Sequence, residues 1–251
     1  MRALITGASS GIGREIAVLL DSMGYDIIAA ARRRERLDEL KSILKNNTTV
    51  CTVDLSKEAE CRALFERFPD VDILVNNAGF GVFGSFLETG LESELSMLDV
   101  NIRALHILTK LYLASFAKRN SGYILNVSSS AAFFPGPMFS SYYASKAYVY
   151  RLTSAIRYEL KKNKSAVSVS LLCPGPVDTE FSERAEVNFG IGALSAKQVA
   201  RAAVGGMFRK KAVIVPGVGI KCTRFLSKIA PDCIAERVVY RIQKAKEKRG
   251  Q

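Results

Sequence analysis

What most constrains this chain is an alternation of seven short apolar runs with segments long enough to be helices. The runs lie at 3–6, 26–31, 49–53, 71–75, 123–127, 167–172 and 212–215. Helical spacing fills most of the intervals: 12–20 (with Ile12, Ile16, Leu19 and Leu20 on one face), 34–45, 59–68, 91–118, 141–162 and a stretch ending near Phe208. A strand, a crossover helix and a second strand leave the two strands parallel, with a right-handed connection. Parallel sheets are covered on both faces, so runs such as Ile73-Leu74-Val75 need no polar alternation. At 251 residues, 48% of them hydrophobic, the chain can bury one full core. It shows no internal repeat, low-complexity stretch or linker.

The turn after the first run reads Thr6-Gly7-Ala8-Ser9-Ser10-Gly11-Ile12-Gly13. Glycines there let the backbone turn tightly and approach a pyrophosphate, and the helix that follows offers free N–H groups and a positive dipole end. The spacing is Gly-x-x-x-Gly-x-Gly, which differs from the commoner Gly-x-Gly-x-x-Gly. Between a strand and an amphipathic helix, it predicts an α/β fold: a single doubly wound (Rossmann) domain with a seven-stranded parallel sheet. Residues 1–217 are read as the dinucleotide-binding catalytic domain, and 218–251 as a helical, basic C-terminal extension of it.

Composition removes several function classes. The five cysteines (Cys51, Cys61, Cys173, Cys222, Cys233) are scattered, with no Cys-x-x-Cys, so neither a disulfide framework nor a metal site is expected. A cytoplasmic setting follows from that usage and from the lack of a secretory h-region or a run near ~20 apolar residues. The single histidine, His106, sits among Leu105, Leu108 and Leu111 and is read as a packed helix residue. Of the net charge of +12, +11 lies after residue 196: 14 Lys or Arg against Asp232, Glu236 and Glu247. No aromatic interleaving or reader motif accompanies it, so nucleic acid is not an expected partner. A solvated surface and a peripheral contact with an anionic surface both fit.

Further motifs follow the glycine turn in order: Asn76-Asn77-Ala78-Gly79, Asp99-Val100-Asn101, Asn126-Val127-Ser128-Ser129, Tyr142-Tyr143-Ala144-Ser145-Lys146 and Pro174-Gly175-Pro176-Val177-Asp178-Thr179. In these the chain resembles the short-chain dehydrogenase/reductase family, NADP-preferring type, over residues 1 to about 217. The resemblance implies an NADP(H)-dependent oxidoreductase that interconverts a carbonyl and a secondary alcohol by hydride transfer. It implies a catalytic set of Asn101, Ser129, Tyr142 and Lys146. It assigns cofactor contacts to Gly7, Ser9, Ser10, Gly11, Ile12, Gly13, Arg32, Arg33, Asp54, Leu55, Asn77, Ala78, Gly79, Tyr142, Lys146, Pro174, Gly175, Val177 and Thr179.

The residue types suit that chemistry. Tyr142 and Lys146 are four apart and share a helix face. A nearby ammonium is expected to pull the phenol down from ~10 toward neutrality, making Tyr142 a proton donor or acceptor. Ser129, 13 residues earlier, would donate to the substrate oxygen. By resemblance, Asn101 would hold a water linking Lys146 to solvent; it would equally satisfy a helix irregularity, and the two roles are compatible. Tyr143 would pack in the core or at a subunit contact. Counting 24 residues on from Gly7 reaches Ala31, followed by Arg32-Arg33-Arg34. A small residue where NAD-preferring members carry an acid leaves room for a 2′-phosphate. Arg32 is expected to grip it, while Arg33 and Arg34 also suit a solvated helix start. Asp54, by resemblance, would accept from the adenine amino group.

The substrate is less legible. Phe80, Phe83, Phe133, Phe134, Phe139, Phe181 and Phe189 lie in segments expected to roof the site or to form a satellite core. Gly190 and Gly192 suit a mobile lid over 182–194. Cys173 is read as plainly buried. In the tail, Ile234, Val238 and Ile242 form an apolar stripe among Arg237, Arg241, Lys244 and Lys248, read as buried against the protein or as a docking element. A small-molecule carbonyl or alcohol is the expected partner, in a homo-oligomer: a dimer through the long helices at 91–118 and 141–162, or a tetramer. Reduction of 3-oxoacyl groups on a carrier protein or CoA is the alternative activity, and a non-catalytic nucleotide-sensing protein the remaining one.

Overall fold

A computed structural model describes residues 1–180 and 193–247. Seven strands form the main sheet: β1 (Arg2–Thr6), β2 (Asp26–Ala31), β3 (Thr48–Thr52), β4 (Ile73–Asn76), β5 (Tyr123–Val127), β6 (Ser168–Leu172) and β9 (Val213–Ile214). Their order is β3-β2-β1-β4-β5-β6-β9, all parallel. Alternate residues of each strand serve opposite faces. Ala3, Ile5, Ile27 and Ala29 pack under α1 (Gly11–Ser22), α2 (Arg34–Ile43) and α7 (Ala196–Phe208). Leu4, Ile28 and Ala30 pack under α3 (Glu58–Arg67), α5 (Leu105–Arg119) and α6 (Ser140–Lys162). The predicted seven-stranded doubly wound domain is the observed one.

Four local differences matter. The helix predicted over 91–118 is three pieces: α4 (Leu91–Leu98), a π-helical turn at Asp99–Ala104, and α5. A π turn inserts one residue into the helical register, which periodicity alone cannot reveal. Second, the stretch from 174 to 194 is not all loop. It contributes β7 (Val177–Asp178), paired in parallel with β8 (Leu194–Ser195). The expected lid glycines Gly190 and Gly192, and Phe181 and Phe189, lie outside the described residues.

Third, His106 is exposed, and its Nδ1 meets the Tyr148 hydroxyl at 2.7 Å. The buried face of α5 is Leu105, Leu108, Thr109, Tyr112 and Phe116, and His106 lies about 100° round the helix from Leu105. The expectation of a packed histidine is therefore corrected. Fourth, the tail forms α8 (Val218–Leu226) and α9 (Asp232–Glu247). The face of α9 that packs inward is Ala235, Val239 and Gln243, while Ile234, Val238 and Ile242 stay about half exposed. The stripe seen in the sequence is the outer face, one residue out of register with the buried one. Among the described residues no helix is long and apolar enough to cross a membrane, and all five cysteines are free.

Candidate active site

The sheet order reverses between β1 and β4, so their C-terminal ends open into a crevice. Gly7 and Gly11 take φ of +66° and +54°, the left-handed region that glycine adopts at little cost. Gly13 is required by space, since a Cβ there would stand 2.4 Å from both the Gly7 carbonyl oxygen and Asn77 Nδ2. Asn77, leaving β4, ties the turn down by donating from Nδ2 to the carbonyls of Thr6 (3.1 Å) and Gly7 (3.2 Å). Thr6 Oγ1 accepts in return from the N–H groups of Asn77 and Ala78. Gly13→Ala is expected to cost about 1–3 kcal/mol from overpacking against backbone. At roughly 2–4 °C per kcal/mol, a melting curve reads this as a clear fall in Tm.

The N-cap residue of α1, Ser10, makes no side-chain cap, so the uncapped helix start faces the crevice with its N–H groups. Arg33 reaches across from the end of β2. Its Nη2 donates to Ser9 Oγ (3.3 Å), Ser10 Oγ (3.1 Å) and Glu180 Oε2 (2.6 Å). The Arg33 hydrogen bond holds the Glu180 carboxyl below its ordinary range. Arg32 lines the same crevice but is exposed, and Arg34 pairs with Asp38 on the surface of α2. Of the three arginines, Arg33 is the one fixed on the glycine turn, where the sequence had favoured Arg32. Ala31, Leu55, Asn77, Ala78 and Gly79 also line the crevice. Asp54 lies there too, its Oδ1 accepting from the N–H and hydroxyl of Ser56; burial works to raise its pKa, but these bonds hold it low.

The other end is built by β5 and α6. Ser128 Oγ donates to the Lys146 carbonyl at 2.8 Å, pinning α6 to the strand end. Ser129 Oγ accepts from the Ala131 N–H at 3.1 Å and hydrogen-bonds the Tyr142 phenol. Tyr142 and Lys146 are buried, and Lys146 Nζ stands 5.7 Å from the centroid of the Tyr142 ring and donates to the Val127 carbonyl at 3.2 Å. Phe139 stacks on Tyr142 at 4.5 Å and 19°. Burial pushes the Tyr142 phenol above its ordinary value, against the lowering expected from Lys146, and the Ser129 hydrogen bond opposes the rise. Burial likewise lowers Lys146 to about 8. The physical reason is desolvation, which disfavours phenolate and ammonium alike.

Asn101 lies in the π turn and clamps the loop after β4. Its Oδ1 accepts from the Phe80 N–H (3.1 Å), and its Nδ2 donates to the Phe80 carbonyl (2.9 Å) and Ser145 Oγ (3.1 Å). A Cβ on Gly79 would meet Asn101 Oδ1 at 2.8 Å and Lys146 Nζ at 3.2 Å, so glycine lets these two groups approach one point. Phe80 and Phe139 line the crevice, Phe83 packs on Phe139, and Phe133 turns away onto Tyr150. Pro174, Gly175, Val177 and Thr179 form the opposite rim, together with Gly11 and Ile12. Cys173, fully buried, has its thiol pushed up to about 12 by burial.

Sequence reasoning missed three residues. Glu180 had no signal beyond adjacency to Thr179. Gly81 makes room for Phe139, whose ring a Cβ would meet at 2.4 Å. Gln243, 2% exposed, reaches the crevice from α9 and donates from Nε2 to the Tyr143 hydroxyl at 2.8 Å. Its position eight residues after Ala235 and four after Val239 was the available signal. Tyr143 is partly buried and packs against the cluster of Phe139 and Tyr142, in keeping with the expected core contact, and its hydroxyl joins α6 to the C-terminal extension.

The profile of the short chain dehydrogenase family matches residues 1–188. An NADP-dependent 3-hydroxy acid dehydrogenase of Escherichia coli is 34% identical over 188 residues, covering 72% of this chain and 75% of that protein. A short-chain dehydrogenase from Sphingobium yanoikuyae, solved with NADPH, is 27% identical with a TM-score of 0.81, covering 92% of this chain and 96% of that one. A short-chain dehydrogenase/reductase from Burkholderia phymatum, solved with NAD, is 26% identical with a TM-score of 0.81, covering 90% and 92%. The chain belongs to the short-chain dehydrogenase family. It is an oxidoreductase of that nicotinamide-binding family, acting on alcohol or carbonyl substrates.

Proposed function

We propose that this chain is an NADP(H)-dependent carbonyl reductase in which Tyr142 is the proton donor. The observation that carries the reading is the union in one crevice of Ser129, Tyr142 and Lys146 with the glycine turn and its arginines. The turn at β1–α1 and the end of β5 are two strands apart, and β2 and β5 three, about 14 Å at ~4.8 Å per strand. That separation suits an extended dinucleotide lying across the strand ends. Neighbours of equal TM-score were solved one with NADPH and one with NAD, so the preference is argued from the residues after β2. Ala31 supplies no acid, while Arg32 and Arg33 supply two guanidiniums.

A bound nicotinamide supplies the hydride in reduction and accepts it in oxidation. The protein's own groups manage the proton. The Ala131 N–H occupies the acceptor side of Ser129 Oγ, leaving the hydroxyl proton to donate toward Tyr142 or a substrate oxygen. Tyr142 gives its phenolic proton to that oxygen in reduction and takes it back in oxidation. Lys146 stabilises the phenolate left behind, and Asn101 holds the Phe80 loop against α6. Among the described residues around Tyr142, namely Phe80, Phe139, Tyr143 and Gln243, Lys146 is the only cation. A neutral ketone therefore fits better than a free 3-oxo acid. A panel of neutral ketones, 3-oxo acids and 3-oxoacyl thioesters, followed by nicotinamide absorbance, tests the order. Faster turnover of the free acids would overturn it.

Lys146 sets the pH dependence. Its charge is present below about pH 8 and is lost as pH rises through that value. Reduction also needs Tyr142 protonated, and its raised pKa keeps it so. The rate of reduction is expected to hold through neutral pH and fall above about pH 8, as measured by initial rates in saturating cofactor. A rate still climbing at pH 9 would contradict the assigned role.

A further inference from the structure

Among the described residues, nothing covers the apolar outer faces of α8 and α9. Val218, Phe225, Leu226 and Ile229, and then Ile234, Val238 and Ile242, are each at least half exposed. On a 3.6-residue wheel, Val218, Phe225 and Leu226 fall within about 100° on α8, Ile229 follows in the turn after it, and Ile234, Val238 and Ile242 fall within about 80° on α9. Exposed cations flank both stripes: Lys221 and Lys228 beside the first, Arg237, Arg241 and Lys244 beside the second. Among the described residues none of these five is ion-paired. No acid occurs from 218 to 231.

We propose that α8 and α9 together form a docking face for an anionic lipid bilayer, lying in the interface with the apolar stripes turned into it. An exposed apolar stripe edged by unpaired cations is the pattern of a helix that lies in a membrane surface. Charge selects this occupant over a second copy of the chain, because face-to-face pairing would oppose two rims of like sign. The inner face of α9 holds the docked element in place through Ala235, Val239 and the Gln243–Tyr143 hydrogen bond. Gly175 takes the weight of α8, since its missing Cβ leaves the space that Ile220 fills. The docked face and one wall of the crevice are thus opposite sides of a single helix. The proposal stands independently of the reductase reading.

The test is co-sedimentation of the purified full chain with vesicles of phosphatidylcholine alone or mixed with phosphatidylglycerol. Binding to the mixed vesicles is expected at low salt, at least tenfold weaker on phosphatidylcholine alone, and lost near ~1 M salt, where the Debye length falls to about 3 Å. Each basic residue near an anionic surface is worth about fivefold in binding. The variant Lys221→Gln/Lys228→Gln/Arg237→Gln/Arg241→Gln should then bind roughly 10²–10³-fold more weakly. The variant Phe225→Ser/Ile229→Ser/Ile234→Ser/Val238→Ser should also be released. Both change exposed side chains, so an unchanged melting temperature and unchanged turnover of a soluble ketone are expected. A wild-type chain left in the supernatant with phosphatidylglycerol at low salt overturns the proposal. So does a dimer on gel filtration that the apolar variant converts to monomer, because the face would then be a self-contact.

Discussion

Tyr142→Phe is expected to lower turnover by ~10² or more while leaving NADPH affinity within a few-fold. The substitution removes one oxygen and its proton and keeps the ring, so the stack on Phe139 at 4.5 Å survives. Ser129 loses its phenol partner but keeps the Ala131 N–H, and its geometry should hold. The matched control is Tyr143→Phe. That hydroxyl accepts from Gln243 Nε2, so its loss should leave turnover within a few-fold and show mainly as a lower Tm. Steady-state rates and a fluorescence titration of NADPH separate the two roles. If Tyr143→Phe is the inactive variant, the proton donor has been misplaced on α6.

The second large effect concerns cofactor choice. Ala31→Asp/Arg32→Ala/Arg33→Ala is expected to reverse the ratio of kcat/KM from NADPH to NADH. A carboxylate at position 31 repels a 2′-phosphate and offers a ribose hydroxyl an acceptor. Losing one charge-assisted contact costs ~1.5–3 kcal/mol, or roughly 10- to 150-fold in kcat/KM. Taken singly, Arg33→Ala should cost more with NADPH than Arg32→Ala. Arg33 is the residue held on Ser9 and Ser10, and its removal also leaves the Glu180 carboxylate in the crevice without that ion pair. Equal losses from the two single variants would divide the role between them, and a larger loss from Arg32→Ala would return it to Arg32.

The contrast between Arg32 and Arg33 shows what sequence can and cannot convey. The seven-stranded parallel sheet and its phosphate-binding turn were legible because apolar runs such as Ile73-Leu74-Val75 and the turn at Gly7–Gly13 are local patterns with one structural solution. Tyr142 and Lys146 were legible because four residues on a helix fix a shared face. Which guanidinium turns inward depends on where Glu180 sits, 147 residues away, and no local pattern encodes that. His106 was misplaced because Leu105, Leu108 and Leu111 suggest one packed face, whereas the buried face of α5 runs through Leu105, Leu108, Thr109, Tyr112 and Phe116 and leaves His106 outside it. The tail was misread by one residue: Ile234, Val238 and Ile242 are the more hydrophobic row, but the smaller Ala235 and Val239 pack inward with Gln243. Close packing against Tyr143 favoured fit over hydrophobicity there. The rise in the Tyr142 pKa is likewise a property of the assembled site, since burial comes from α6, β5 and the Phe139 loop acting together.

The central claim is that this crevice performs NADPH-dependent reduction of a neutral carbonyl through Tyr142. The most direct measurement is NADPH and NADH oxidation by the unmodified protein across a panel of neutral ketones at neutral pH. The account predicts turnover of at least one ketone with NADPH favoured by tenfold or more in kcat/KM, and its loss in Tyr142→Phe. NADPH binding with no turnover across the panel, or equal efficiency with the two cofactors, would contradict it.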